Sequence, residues 1–289
     1  MPSKVVALAL STHPGPGLAV TAIAVILGAG IGIDPVRLVI LGFAFLANQV
    51  SVGLSNDWLD ADRDRAVGRT DKPVALGQIS AGAVRTAAFL SAGAAVALTI
   101  PLGWAATVAH TVFIASAWAY NVGLKNTVFS VAPYILSFGL LPLVVTLANT
   151  EPALAAPWAI AAGALLGTAA HFANVLPDRE DDRSTGIRGL PHRLGSRWSA
   201  AIISFALLGA STLVVAGPAV FDLPRLIGLG LVAVVAIVCY FLAAARAPTR
   251  LLFQLIIVAA LITVLLLAFS GERMLNPAAL DPAALDPAL

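Results

Sequence analysis

Apolar residues fall into nine separate runs, each about the ~20 residues that a helix needs to cross a bilayer. They cover roughly 14–33, 36–55, 80–101, 103–123, 128–149, 153–176, 198–219, 224–245 and 250–270, with charged or Pro/Gly-rich breaks between them. None alternates in the manner of a membrane barrel strand, so the runs predict helices. Only 11% of residues are charged, against about 25% in soluble domains, which leaves too little polar surface for a water-soluble fold. The expectation is an all-α integral membrane protein with a single polytopic domain over 1–275. Residues 276–289 carry the repeat AALDPAALDPAL, a Pro-punctuated, low-complexity pattern expected to be disordered.

Composition narrows the function classes further. Lys4 precedes an apolar stretch much as in a secretory leader, but apolar runs recur to residue 270, and the reading is polytopic insertion. The lone Cys239 gives no disulfide scaffold or cysteine-rich metal site. A net charge of +2 carries no signature of nucleic-acid binding.

Nine helices starting from an inside N-terminus place fourteen of the 17 Lys and Arg residues on one face of the membrane, leaving Arg37, Arg225 and Arg273 on the other. That is a strong positive-inside bias, and it orients the connections at 56–79 and 177–197 toward the cytoplasm. Nine of the 15 acidic residues sit in those same two connections: Asp57, Asp60, Asp62, Asp64 and Asp71 in the first, Asp178, Glu180, Asp181 and Asp182 in the second.

The spacing carries chemical information. Asp57, Asp60 and Asp64 lie three and four positions apart and share a helical face from which Asp62 points away; Asn174, Asp178 and Asp182 repeat every four. Carboxylates crowded in this way repel one another unless cations join them, and hard oxygen donors favour Mg²⁺, which commonly bridges to phosphates. An EF-hand register fails, because Arg65 stands at the loop's glycine position and Asp71 at its terminal glutamate. Arg65, Arg69, Lys72, Arg179, Arg183 and Arg188 interleave with the acids, and Lys125 stands nearly alone after the fourth run. Metal flanked by basic side chains suits a diphosphate. Arg63, Arg193 and Arg197 read as topology cations, and His13 as an interfacial residue. Intramembrane polar groups turn inward, so Asn48, Gln49, His110 and His171 are candidates for a second-substrate pocket, with helix-to-helix hydrogen bonding the competing role. A transporter lined by acids is the alternative of another class.

These motifs resemble those of the UbiA-type intramembrane prenyltransferases. Asn56-Asp57-x-x-Asp60-x-x-x-Asp64 is similar to the family's first motif. It continues through Arg69-Thr70-Asp71-Lys72-Pro73 to Gly77-Gln78-Ile79-Ser80, with Lys72 where Arg is more usual. Asp178-Arg179-Glu180-Asp181-Asp182, followed by Gly186, Leu190-Pro191 and Leu194-Gly195, resembles the second motif. Tyr120 and Lys125 resemble the Tyr and Lys between helices four and five, at an interval of five rather than four. The resemblance implies nine transmembrane helices around a central cavity capped by cytoplasmic motif loops. It also implies Mg²⁺-dependent transfer of a prenyl group from a prenyl diphosphate to an aromatic or other lipophilic acceptor. A phosphorylated sugar or glycerol phosphate is the alternative acceptor. Asp57, Asp60, Asp64, Asp178 and Asp182 would hold two Mg²⁺; Asn56, Arg69, Lys72, Tyr120, Lys125, Asn174 and Arg179 would contact the diphosphate substrate.

Topology is directly testable. With Cys239 replaced, a cysteine at Ala66 should stay unlabelled by a membrane-impermeant thiol reagent in intact cells and react once the cytoplasmic face is opened. Labelling from outside would reverse the orientation.

Overall fold

The computed structural model describes residues 3–175, 188–245 and 250–276, apart from the side chains of 243–245 and 250–253. The chain is a helical bundle: α1 Lys4–Leu10, α2 Pro14–Gly30, α3 Pro35–Leu59, α4 Ala61–Ala66, α5 Ala81–Thr99, α6 Trp104–Val122, α7 Ala132–Leu147, α8 Pro157–Val175, α9 Leu190–Ala216, α10 Leu223–Ala245 and α11 Arg250–Ala268. Five of these, α3, α5, α8, α9 and α10, are long and apolar enough to cross a membrane, and α1 with α2 forms a sixth candidate bent by 60°. Helix α7 and the Gln254–Ala268 part of α11 are apolar but shorter.

Local sequence sets the helix ends. Asp34 caps α3 by accepting from the Val36 and Arg37 amides, and Ser80 caps α5 by accepting from Ala83, each satisfying a donor that a helix start leaves unpaired. Proline occupies the first positions of α2, α3 and α9, where its missing N–H costs nothing. Gly195 interrupts α9 with φ 85° and ψ 173°, a left-handed turn suited to glycine, so the start of α9 lies off the axis of its membrane portion.

The outside of the bundle is apolar, as a bilayer requires, and a few polar side chains are buried within its apolar core. Trp104, Phe205, Phe241 and Phe89 are exposed on the outside of the bundle, while Asn48, His110, Thr99, His171 and Ser211 are buried inside it. Helices α7 and α8 pack almost backbone to backbone: a Cβ on Gly163 would lie 2.3 Å from the Phe138 carbonyl oxygen, and one on Gly167 2.4 Å from that of Tyr134. Small residues of this kind permit close helix approach in lipid.

The two ends of α3 face different tasks. At its start, Arg37 donates to the carbonyls of Ala148 (2.9 Å) and Leu102 (2.7 Å), tying together the turns after α7 and α5. Nearby, the strand β1 Leu154–Ala155 pairs antiparallel with β2 Leu275–Asn276, fastening the segment after α11 to the start of α8. At the other end, α3 and α4 carry the first acidic motif over an apolar base of Ala7, Leu54, Ala61, Val74, Ile79, Val84 and Ala88. Val74, 2% exposed, anchors the turn after α4 in that base. This is what holds Lys72 over the acids.

Candidate active site

Asn56 and Asp57 occupy the last turn of α3; Asp60 is the single residue between α3 and α4; Asp64 lies within α4. The predicted common face is therefore carried by two helices meeting at Asp60 (φ −92°, ψ −1°) rather than by one continuous helix. The separation of sides follows the spacing. Asp57, Asp60 and Asp64 are buried, while the Asp62 side chain is 98% exposed and pairs only locally with Arg65 at 2.8 Å.

Each buried carboxylate meets a cation. Asp57 Oδ1 accepts from Lys72 Nζ at 2.7 Å and lies 2.7 Å from His13 Nε2. Asp60 Oδ1 accepts from Lys125 Nζ at 2.5 Å, and its Oδ2 accepts from Asn56 Nδ2 and from the Arg63 guanidinium, both at 3.0 Å. Arg63 also donates to Asp64 Oδ1 at 3.1 Å. Asn121 on α6 fixes the neighbouring backbone, its amide donating to Val52 O (2.9 Å) and Ser55 Oγ (2.8 Å). Asp57 Oδ2 is buried and has no hydrogen-bond partner among the described residues.

Two residues were missed in the sequence. Arg63, read as a topology cation, bridges Asp60 and Asp64. His13, read as interfacial, meets Asp57 across 44 positions. The i,i+3 spacing of Asp60 and Arg63 was a signal for the first; nothing in the local sequence signals the second.

The remaining candidates separate into groups. Arg69 forms a two-pronged pair with Asp71, both bonds 2.8 Å, and that bond holds the Asp71 carboxyl down at about 2. Tyr120 packs edge-on to Tyr134 (5.2 Å between centroids) and to His171 (5.8 Å). His171 Nε2 shares a 3.0 Å hydrogen bond with Ser130, whose hydroxyl accepts from the Leu190 amide; it thus helps seat the start of α9. Asn48 and His110 form a helix-to-helix contact. Thr99 donates its hydroxyl proton to Ala95 O, so His110 Nδ1–H donates to Thr99 (2.8 Å) and Nε2 accepts from Asn48 Nδ2 (3.0 Å). Gln49 lies half-buried where α2 packs on α3. Asn174 is exposed near the end of α8. Asp178, Arg179 and Asp182 lie outside the described residues.

Among the described residues, no three His, Cys, Asp or Glu side chains form a group able to hold a metal ion. Lys72, Lys125 and Arg63 occupy oxygens on all three buried acids. Burial lowers the pKa of Lys125, and Asp60 opposes that shift.

The model of the UbiA prenyltransferase family matches residues 17–255. The chain belongs to that family. It is accordingly a prenyltransferase, built on the family's all-α membrane fold. A UbiA homolog from Archaeoglobus fulgidus, solved bound to GPP and Mg²⁺, is similar at TM-score 0.73 and 15% identity, over 91% of this chain and 98% of that one. The apo structure of a UbiA homolog from Aeropyrum pernix K1 is similar at 0.66 and 18%, over 91% and 97%. A structure concerned with digeranylgeranylglyceryl phosphate synthase is similar at 0.62 and 15%, over 94% and 99%. No curated protein matches the chain at a significant level.

Lys125 gives the sharpest test. If its ammonium assists diphosphate departure, Lys125→Gln should lose about 30-fold to 1000-fold in rate, roughly 2 to 4 kcal/mol, like removal of one oxyanion donor. A lowered pKa means that the charge disappears at a lower pH than for a free lysine. The alkaline limb of the rate profile should therefore sit below pH 10.5 and move upward in Lys125→Arg, whose guanidinium keeps its proton. An unchanged limb in Lys125→Arg would remove Lys125 from the reaction.

Proposed function

We propose that this membrane enzyme transfers a prenyl group from a polyprenyl diphosphate to an aromatic or other lipophilic acceptor, with Mg²⁺ and with release of diphosphate. The observation that carries the reading is the set of three buried carboxylates, each paired with a cation, at one end of a lipid-facing apolar bundle. The donors fit Mg²⁺: they are hard oxygens, and Asp57 Oδ2 is a buried acceptor with no other partner among the described residues. Asp57, Asp60 and Asp64 would hold two such ions together with Asp178 and Asp182, with Asn56 and Asn174 in support. Bound there, Mg²⁺ supplies Lewis-acid neutralisation of the diphosphate charge.

The chain's own part is electrostatic and steric. Lys125 and Lys72, now held on Asp60 and Asp57, are placed to pass their donors to the diphosphate oxygens, and Arg69 and Arg179 would add charge-assisted bonds. As the allylic C–O bond breaks, its electron pair leaves with the diphosphate. The resulting carbocation is attacked by the acceptor, which then loses a proton. Water must be kept out of that step, and the apolar interior contributed by residues such as Phe45, Phe113 and Phe172 does so. Nine membrane spans around a central cavity, with the motif loops in the cytoplasm, complete the proposal.

Detergent-solubilised protein incubated with Mg²⁺, prenyl diphosphates of graded length and either phenolic or phosphorylated acceptors, with products identified by mass, tests this reading. The expected result is a prenylated aromatic or lipophilic product that disappears with EDTA. Product only with a glycerol phosphate or sugar phosphate would identify the alternative acceptor. Absence of product and of diphosphate release with every combination would contradict the function.

A further inference from the structure

The corner between α1 and α2 reaches the acidic motif by a route that the sequence motifs do not describe. His13 connects the two helices in the left-handed region (φ 52°, ψ 61°), uncommon for a residue with a Cβ, and Pro14 after it disfavours the right-handed helical alternative. The corner is pressed onto α3 along one stripe. Gly17 lies against Gln49, where an added Cβ would meet the Gln49 Cβ at 3.2 Å; Thr12 lies against Gly53, where an added Cβ would fall 2.1 Å from the Thr12 carbonyl oxygen. Gln49, Gly53 and Asp57 are spaced by four, so they stack on a single helical face. His13 therefore arrives at Asp57 as the last contact of a continuous seam.

Three atoms meet there: Asp57 Oδ1, His13 Nε2 and Lys72 Nζ, with separations of 2.7, 2.7 and 2.8 Å. With Lys72 in place, His13 Nε2 either accepts from the Lys72 ammonium or donates to Asp57 Oδ1; once Lys72 leaves, donation to Oδ1 is the role left to it. Asp57 thus has one oxygen in contact with both nitrogens and the other, Oδ2, buried without a partner among the described residues. If a diphosphate draws Lys72 away, His13 is the donor left to Oδ1 among the described residues.

We propose that His13 is a positioning residue: its Nε2–H holds the Asp57 carboxylate in place after Lys72 moves to the diphosphate, leaving Oδ2 for the cation. The proposal rests on the function stated above. It assigns a role in the reaction to the α1–α2 corner, which lies outside both acidic motifs and mostly before the residues matched by the family model.

The test is calorimetric titration of Mg²⁺ into solubilised protein holding a non-ionising geranyl S-thiolodiphosphate, for the parent and for His13→Ala, His13→Phe and His13→Gln. Loss of a hydrogen-bond partner to a metal ligand commonly weakens metal affinity about 10-fold to 100-fold. Ala and Phe should show a loss of that size, while Gln, whose side-chain amide can still donate, stays close to the parent. Phe fills the ring volume, so it separates loss of the donor from loss of packing should Ala fail to fold. Parent-like Mg²⁺ dependence in Phe, or a loss in Gln equal to that in Phe, overturns the role of His13. Absence of any analogue binding by the parent overturns the functional reading beneath it.

Discussion

Three carboxylates buried at the end of an apolar bundle can stay ionised only with positive charge beside them, and much of the surrounding structure follows from that requirement. An isolated buried carboxylate carries a desolvation penalty that drives it to take up a proton. Here Asp57 has Lys72, Asp60 has Lys125 and Arg63, and Asp64 has Arg63. Removal of one partner would leave the other charge uncompensated, so acids and cations must be held as a set.

Holding that set requires elements far apart in the chain. Lys72 stands on a turn anchored by Val74 in the apolar base beneath α4. Lys125 comes from the short turn between α6 and α7, whose backbone is crowded from the other side: a Cβ on Gly189 would lie 2.5 Å from the Lys125 carbonyl oxygen. The chain that follows the second acidic cluster is thereby packed against the loop that carries Lys125. On the function proposed above, the pairs that balance charge here are the groups that a metal–diphosphate complex would exchange with, each cation leaving its carboxylate for a phosphate oxygen while the carboxylate takes up metal.

Periodicity made much of this legible. Continuous apolar runs predicted helices, and the described residues are mostly helical, with five helices, or six counting the bent α1–α2 pair, long and apolar enough to cross a membrane. The i, i+3, i+7 pattern separated Asp57, Asp60 and Asp64 from Asp62, and the structure buries the first three while exposing the last. What periodicity could not supply was contact between distant segments. His13 meets Asp57 only because α1 and α2 bend by 60° and Gly53 admits the Thr12 backbone. Arg63 looked like one more cytoplasmic cation because charge counting ignores the direction of a side chain. Polarity alone left Asn48 and His110 between an acceptor pocket and helix-to-helix bonding; together with Thr99 they form a buried hydrogen-bonded chain between α3, α5 and α6.

On the proposed function, the cations on Asp57 and Asp60 give way to metal and diphosphate. An experimental structure with Mn²⁺ and a prenyl thiolodiphosphate measures this directly. The expected result is anomalous density for Mn²⁺ within bonding distance of Asp57 Oδ2, with Lys125 Nζ moved from Asp60 onto a phosphate oxygen. Bound diphosphate with Lys125 still on Asp60, and no metal at Asp57, would contradict it.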